Sequence, residues 1–260
     1  MRSMIRVKSA MLSRIKGVFF DYGGVIEDLS FDESTLQKGV NILNAVLREH
    51  RIDTVSERLF RMLKRGQEEY TLWYQSNDER ELSNEEMWTS FYLRELCVDP
   101  AARSIVEPMS EELSSIYEYY LYRRRPSKDV RNVLKTLAYS GYTLALISNT
   151  MSKTLIPERL RKLRIEKLFS GVFLSVELGM RKPKRGIFDT ALNSTGLDAG
   201  ACMYVGDTLS RDVEGARRAG FDVTVLIPSG LTDLKDRGYR GSARPDHTLR
   251  SLEEVYGILS

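Results

Sequence analysis

From Pro126 onward the sequence alternates short apolar runs with segments of helical periodicity, and this alternation restricts the possible folds more than any other feature. Val130, Val133, Leu134 and Leu137 recur at helical spacing, with Ser127 placed where a cap belongs and Gly141 closing the segment. The runs 143–147, 171–175, 202–205 and 223–227 read as strands, with helical segments around 154–163, 186–194 and 213–219 between them. Strands that are apolar throughout, joined by helices, imply a parallel sheet covered on both faces. One more such run, Ile15 to Phe20, lies far upstream and must join the same sheet. The stretch separating it from the rest, from about Phe31 to Tyr122, has little strand signal. Val40, Leu43, Val46 and Leu47 recur there at helical spacing, as do Leu59, Phe60, Met62 and Leu63, with polar breaks at Gln75-Ser76-Asn77-Asp78 and Asp99-Pro100. The expected fold is therefore α/β: a Rossmann-like core with helices on both faces, formed by residues 1–28 and 126–260, interrupted by an all-helical domain at 29–125. Trp73, Tyr74, Trp88, Phe91 and Tyr92 in that insert are read as packing residues.

Composition adds mainly exclusions. A net charge of +3, from 39 basic and 36 acidic side chains, gives no reason to expect a nucleic-acid partner. Cys97 and Cys202 lack metal-type spacing and read as small hydrophobes in a reducing compartment. No apolar run approaches the ~18 residues that span a bilayer, and the N-terminal MRSMIRVKSAMLSRIKG lacks the continuous apolar centre of a signal peptide. A cytoplasmic protein with no membrane partner is expected. Nothing in the sequence sets the oligomeric state.

In open parallel sheets, ligands bind beyond the carboxyl ends of the strands. The first strand here ends in Asp21, within GVFFDYGGVI, and the second in Ser148-Asn149-Thr150. Glu177, Gly179, Arg181, Lys182 and Pro183 follow the third, while Gly206-Asp207-Thr208 follows the fourth, with Asp212 a few residues on. Asp21 alone would read as a helix cap or turn residue. A polar group at every strand end reads instead as a site. Arg123-Arg124-Arg125, and the Arg181, Lys184 and Arg185 around Lys182, form either a solvated basic face or a field that draws anions inward.

The segments VFFDYGGV, LALISNT, GMRKPKRGIF and MYVGDTLSRDVEGARRAG, in that order, resemble the four motifs of the haloacid dehalogenase-like hydrolase superfamily. The resemblance covers about 14–28 and 126–256, and it implies that the helical insert is a cap domain. It further implies that Asp21 is a nucleophile attacking phosphorus, since a carboxylate can form an aspartyl phosphate that water later hydrolyses. Mg2+ would be held by the carboxylates of Asp21 and Asp207 and the carbonyl of Gly23, all hard oxygen donors. Ser148, Asn149 and Lys182 would bind phosphate, and Asp212 would orient Lys182 or reach the metal through water. The implied activity is that of a Mg-dependent phosphatase acting on a small phosphorylated metabolite. One position departs from the pattern. Family phosphatases usually carry a second aspartate as general acid where this chain has Gly23. A haloacid dehalogenase-type hydrolase and a non-catalytic phosphate-binding protein therefore stand as alternatives, and Glu27 or Asp28 could fold back as a substitute acid. Two chain crossings, near 28–32 and 123–126, would let the insert hinge.

Overall fold

A computed structural model describes residues 14–76 and 80–259. The N-terminal segment before Arg14 and the Asn77-Asp78 break, on which two of the readings above fall, lie outside the described residues. Strand β1 (Gly17–Phe20) occupies the middle of a six-stranded parallel sheet. It pairs on one side with β4 (Thr143–Ser148) and on the other with β6 (Cys202–Gly206), so that Phe20 lies level with both Leu146 and Val205. β5 (Gly171–Leu174) extends the sheet beyond β4, while β7 (Val223–Leu226) and the short β8 (His247–Thr248) extend it beyond β6. The upstream run thus joins the sheet at its centre, as the sequence demanded.

The two-residue period of a strand explains why the sheet is covered on both faces. Val18 and Phe20 point into one cluster with Leu144, Leu146 and Val205, completed by Val133 and Leu137 of α5 (Val130–Tyr139) and Leu160 of α6 (Leu155–Leu163). Phe19 points the other way, against Ile187 and Phe188 of α8 (Arg185–Thr195) and Ala216 of α9 (Glu214–Ala219). Phe19 and Phe20 are both fully buried, and burial of such a side chain contributes roughly 1.5–3 kcal/mol. Helix α5 begins differently from expectation. Ser127 donates its hydroxyl to the Val25 carbonyl (2.6 Å), and Asp129, in a left-handed conformation, precedes the helix without a side-chain cap.

The helices of the insert pack around a second cluster, which Met151 and Val176 of the sheet region join. Helices α1 (Glu33–Glu49), α2 (Ser56–Ser76), α3 (Asn84–Met87, continued by a π turn to Tyr92) and α4 (Pro100–Leu121) share a cluster containing Leu43, Leu59, Trp88, Tyr92 and Leu113. Asp32 caps α1 through the Thr35 N–H, and Asp99 caps α4 with Pro100 in its first turn. Trp88 and Tyr92 are buried packing residues. The chain crossings into and out of the insert are zipped together. β2 (Glu27–Ser30) and β3 (Arg123–Pro126) form an antiparallel ribbon, with Asp28 opposite Arg125 and Ser30 opposite Arg123. Among the described residues no helix is long and apolar enough to cross a membrane.

Candidate active site

Asp21 lies one residue past β1, and its N–H still bonds to the Val205 carbonyl of β6 (2.9 Å). The sheet therefore fixes the carboxylate at the C-terminal edge. The chain then turns through Gly24, whose φ of +101° belongs to glycine. A Cβ at Gly24 would lie 2.3 Å from Asp207 Oδ2, so any side chain would displace the neighbouring acid. That close approach is why a glycine stands at this point.

Lys182 is 2% exposed and connects two of the acids. Its Nζ lies 2.7 Å from Asp21 Oδ1 and 2.6 Å from Asp212 Oδ1, and it donates to the Tyr204 hydroxyl (3.0 Å). Burial alone would lower the lysine pKa, but the carboxylates of Asp21 and Asp212 outweigh it and hold the ammonium charged. Burial likewise works against Asp212, and Lys182 with Thr208 reverses it, leaving Asp212 below the usual carboxylate range. Asp212 Oδ2 also receives the Thr208 N–H (3.1 Å) and hydroxyl (2.5 Å). Asp212 is thus engaged in orienting Lys182.

Ser148, the last residue of β4, is buried on the wall of a cavity of about 130 Å³ that it shares with Asp21, Gly23, Lys182 and Asp212. Asn149 borders the same cavity but commits its side chain elsewhere. Its Oδ1 accepts the Lys182 N–H (2.8 Å) and its Nδ2 donates to the Lys182 carbonyl (3.0 Å). Asn149 therefore sets the backbone position of the lysine.

Asp207, at the end of β6, is fully buried. Burial pushes its pKa up to about 6, assisted by the charges of Asp21 and Asp212 and opposed by Lys235. Its Oδ2 accepts from the Ser229 hydroxyl (2.6 Å) and from Lys235 Nζ (2.6 Å), whereas Oδ1 is buried with no partner among the described residues. Carboxylate oxygens of Asp21, Asp207 and Asp212 lie within 4.8 Å of one another. An unsatisfied buried carboxylate oxygen beside a second carboxylate and the Gly23 carbonyl fits a hard divalent cation such as Mg2+. Asp21, Asp207 and Gly23 are the residues that would hold it.

Three features went unread in the sequence. Lys235, on the short helix α10 (Thr232–Lys235), reaches back to donate to the Gly23 carbonyl (2.9 Å) as well as to Asp207. Two acids of α4 bind the loop after β4: Glu118 accepts the Met151 N–H (2.9 Å) and the Thr150 hydroxyl (2.5 Å), and Glu111 accepts the N–H groups of Lys153 and Thr154 (3.0 Å each). Finally, Glu27 is fully buried, ion-paired with Arg159 and accepting from the Tyr22 hydroxyl (2.7 Å). It is not a substitute acid for the missing side chain at Gly23, and Asp28 is exposed on the ribbon. The flanking basic residues are largely paired as well, Arg181 with Glu81 and Arg185 with Asp189.

Acids following two neighbouring strands, with a buried lysine paired to Asp21 and Asp212 at the carboxyl edge of a doubly covered parallel sheet, define an α/β protein equipped to act on anions. Within that class the chain belongs to the haloacid dehalogenase-like hydrolase family, whose sequence profile matches residues 35–226. The glyceraldehyde 3-phosphate phosphatase of Methanopyrus kandleri is 28% identical over 86% of this chain and 88% of its own length. Human N-acylneuraminate-9-phosphatase is 30% identical, but over only 52% of this chain and 51% of the relative. The crystal structure of a 2-haloacid dehalogenase from Pseudomonas syringae superposes with a TM-score of 0.64 at 20% identity, covering 94% of this chain and 98% of that one. At that identity the likeness speaks for the fold alone.

Proposed function

We propose that this chain is a cytoplasmic, Mg2+-dependent phosphatase that hydrolyses a phosphate monoester of a small metabolite through covalent attack by Asp21. The observation that carries the proposal is the pairing of Asp21 with Lys182 at 2.7 Å beside the unpartnered Oδ1 of Asp207. Asp21 attacks phosphorus, the ester P–O bond breaks, and the alcohol departs as its oxyanion, which takes a proton from solvent. Water then cleaves the acyl phosphate, releasing inorganic phosphate and restoring the carboxylate. Two like unit charges about 4 Å apart repel by ~4 kcal/mol at an effective dielectric near 20. Lys182 reduces this by standing against Asp21, while Asp212 and Tyr204 hold the ammonium in place and Asn149 fixes the lysine backbone. Bound magnesium supplies the further positive charge that phosphoryl transfer requires. Ser148 offers a hydroxyl donor from the cavity wall.

The two relatives named as phosphatases support the reaction class. The division into a core of 1–28 and 126–260 and a cap of 29–125 belongs to the same proposal. It is supported by the hydrophobic cluster that residues of the insert mostly build, and by a second cavity of about 740 Å³. Phe31, Leu36, Phe60, Tyr70 and Tyr74 of the insert line this cavity, and Tyr122, Arg211 and Lys235 are shared with the smaller one. The leaving group extends into it, which admits alcohols bulkier and more apolar than a triose.

The test is phosphate release from an aryl phosphate, with Mg2+ and with excess chelator, by the native chain and by Asp21→Asn. The expected result is turnover only in the native chain with metal. Full activity in chelator would favour hydrolysis at carbon, and tight phosphate binding without turnover would favour a non-catalytic role.

A further inference from the structure

Lys235 places a positive charge where the proposed metal ligands converge. Its Nζ lies 2.6 Å from Asp207 Oδ2 and 2.9 Å from the Gly23 carbonyl oxygen, so a single ammonium bridges two of the three residues assigned to Mg2+. The segment that delivers it is tied down on both sides. Upstream, Ser229 donates to Asp207 Oδ2, and Thr232 donates to the Asp207 carbonyl (2.7 Å). The Lys235 N–H itself bonds to the Leu231 carbonyl (2.9 Å). Downstream, the Asp236 carboxylate accepts the N–H groups of Leu209 (2.8 Å) and Ser210 (3.0 Å), in the loop that follows Asp207. The backbone around Lys235 is thus anchored to the loop that carries Asp207, and the lysine side chain is 18% exposed.

We propose that Lys235 is a built-in competitor for the divalent metal: its ammonium sits between Gly23 and Asp207, and the metal binds fully only when that side chain swings out. The inference rests on the metal reading given under Proposed function. With the ammonium on Asp207 Oδ2 and the Gly23 carbonyl, a divalent ion on that same carbonyl and on Asp207 Oδ1 would stand at the closest approach of two cations, so the two cannot both be seated. The backbone can stay in place during the exchange. Only the flexible four-carbon stem has to rotate, and the 740 Å³ cavity, which Lys235 also lines, offers space for it. In the metal-free protein the ammonium neutralises a buried carboxylate, and its departure exposes the ligand set. The apparent metal affinity is then the intrinsic affinity reduced by the fraction of molecules in which the lysine has left.

The experiment is calorimetric titration of Mg2+ into the metal-free full chain, without phosphate, at fixed ionic strength. It is run on the native protein, Lys235→Met, Lys235→Gln and Arg211→Met. Arg211 lines the same two cavities but makes no hydrogen bond or ion pair to Gly23 or Asp207 among the described residues. If the lysine is seated nine-tenths of the time, both Lys235 variants bind Mg2+ about tenfold more tightly, whereas Arg211→Met changes affinity less than twofold. Metal-free Lys235→Met also melts at a lower temperature than the native chain and gains more from added Mg2+. Equal affinity in the native and Lys235 proteins overturns the proposal and leaves the metal reading intact. Equal tightening in Arg211→Met overturns it too, since the effect would then belong to the general field. Absence of Mg2+ binding in every protein overturns the proposal together with the metal reading.

Discussion

At the scale of single residues, the proposed chemistry turns on what Gly23 lacks. Among the described residues, a Cβ added there meets the Leu29 side chain alone, with Cδ1 at 2.9 Å, the free end of a flexible side chain. Gly23→Asp is therefore compatible with the fold after a small shift of Leu29, unlike any substitution at Gly24. With Glu27 ion-paired to Arg159, the adjacent chain supplies no replacement acid. The native protein should accordingly act best on esters that leave as stable anions. Its kcat/KM should fall steeply as leaving-group pKa rises, and Gly23→Asp should flatten that dependence and raise turnover of primary alkyl phosphates by up to about 10²–10⁴-fold. A flat dependence in the native protein would mean that another acid operates. At Asp21 the change to Asn preserves shape and removes the charge proposed as nucleophile, so turnover should fall to background while the melting temperature stays close to native.

At the scale of elements, α4 is the strap that joins insert to core. Its Glu111 accepts from Lys153 and Thr154 backbone N–H groups and from the Ser152 and Thr154 hydroxyls (2.7 and 2.8 Å), while Glu118 binds the same loop nearer to Thr150. This loop follows Ser148 directly, so the contact couples the insert to a wall of the active site. Hinging of the insert about the β2–β3 ribbon has to release both acids. Burial raises the Glu111 pKa, but the hydrogen bonds from Lys153, Ser152 and Thr154 outweigh it and bring the value below the ordinary one. A carboxylate whose folded pKa is depressed adds stability above its unfolded pKa, near 4.3, and loses it as pH falls through the folded value. Glu111→Gln should therefore cost about 1–2 kcal/mol at pH 6, allowing for partial exposure. The cost, measured by urea denaturation of both proteins, should shrink below about pH 4. A difference independent of pH would show that the carboxylate charge plays no part.

At the scale of the whole molecule, two cavities meet at the junction of core and insert, a small polar one at Asp21 and a large, mostly apolar one beneath α1 and α2. Under the proposed function, chemistry would centre on the small cavity and recognition of the leaving group on the large one, which α1 and α2 line. Leu36→Trp, which adds volume to the large cavity from α1, should lower kcat/KM for a bulky aryl ester by about tenfold, in line with the effect of pocket fit on discrimination. Turnover of a small acyl phosphate should change little. Equal losses on both substrates would place the disturbance at the catalytic residues instead.

What the sequence by itself determined is whatever repeats locally or follows from strand ends. Apolar runs such as Val18 to Phe20 and Leu144 to Ile147 are buried on both faces only in a parallel sheet, and that sheet carries Asp21, Ser148 and Asp207 to one edge in a known order. The strands β1, β4, β5, β6 and β7 and the helical character of the insert were legible for this reason. The β2–β3 ribbon was not, because its four-residue strands are too short and too charged to show a period. Only the tertiary structure decided the partners of individual charged side chains. Lys235 and Gly23 are 212 positions apart, Arg159 and Glu27 132, and Glu111 and Thr154 43. A charged residue in a polar segment has the same local signature whether it ends in solvent or in a ligand set. Its role is settled by packing, which determines which backbone carbonyls and carboxylates lie within reach once the chain has closed.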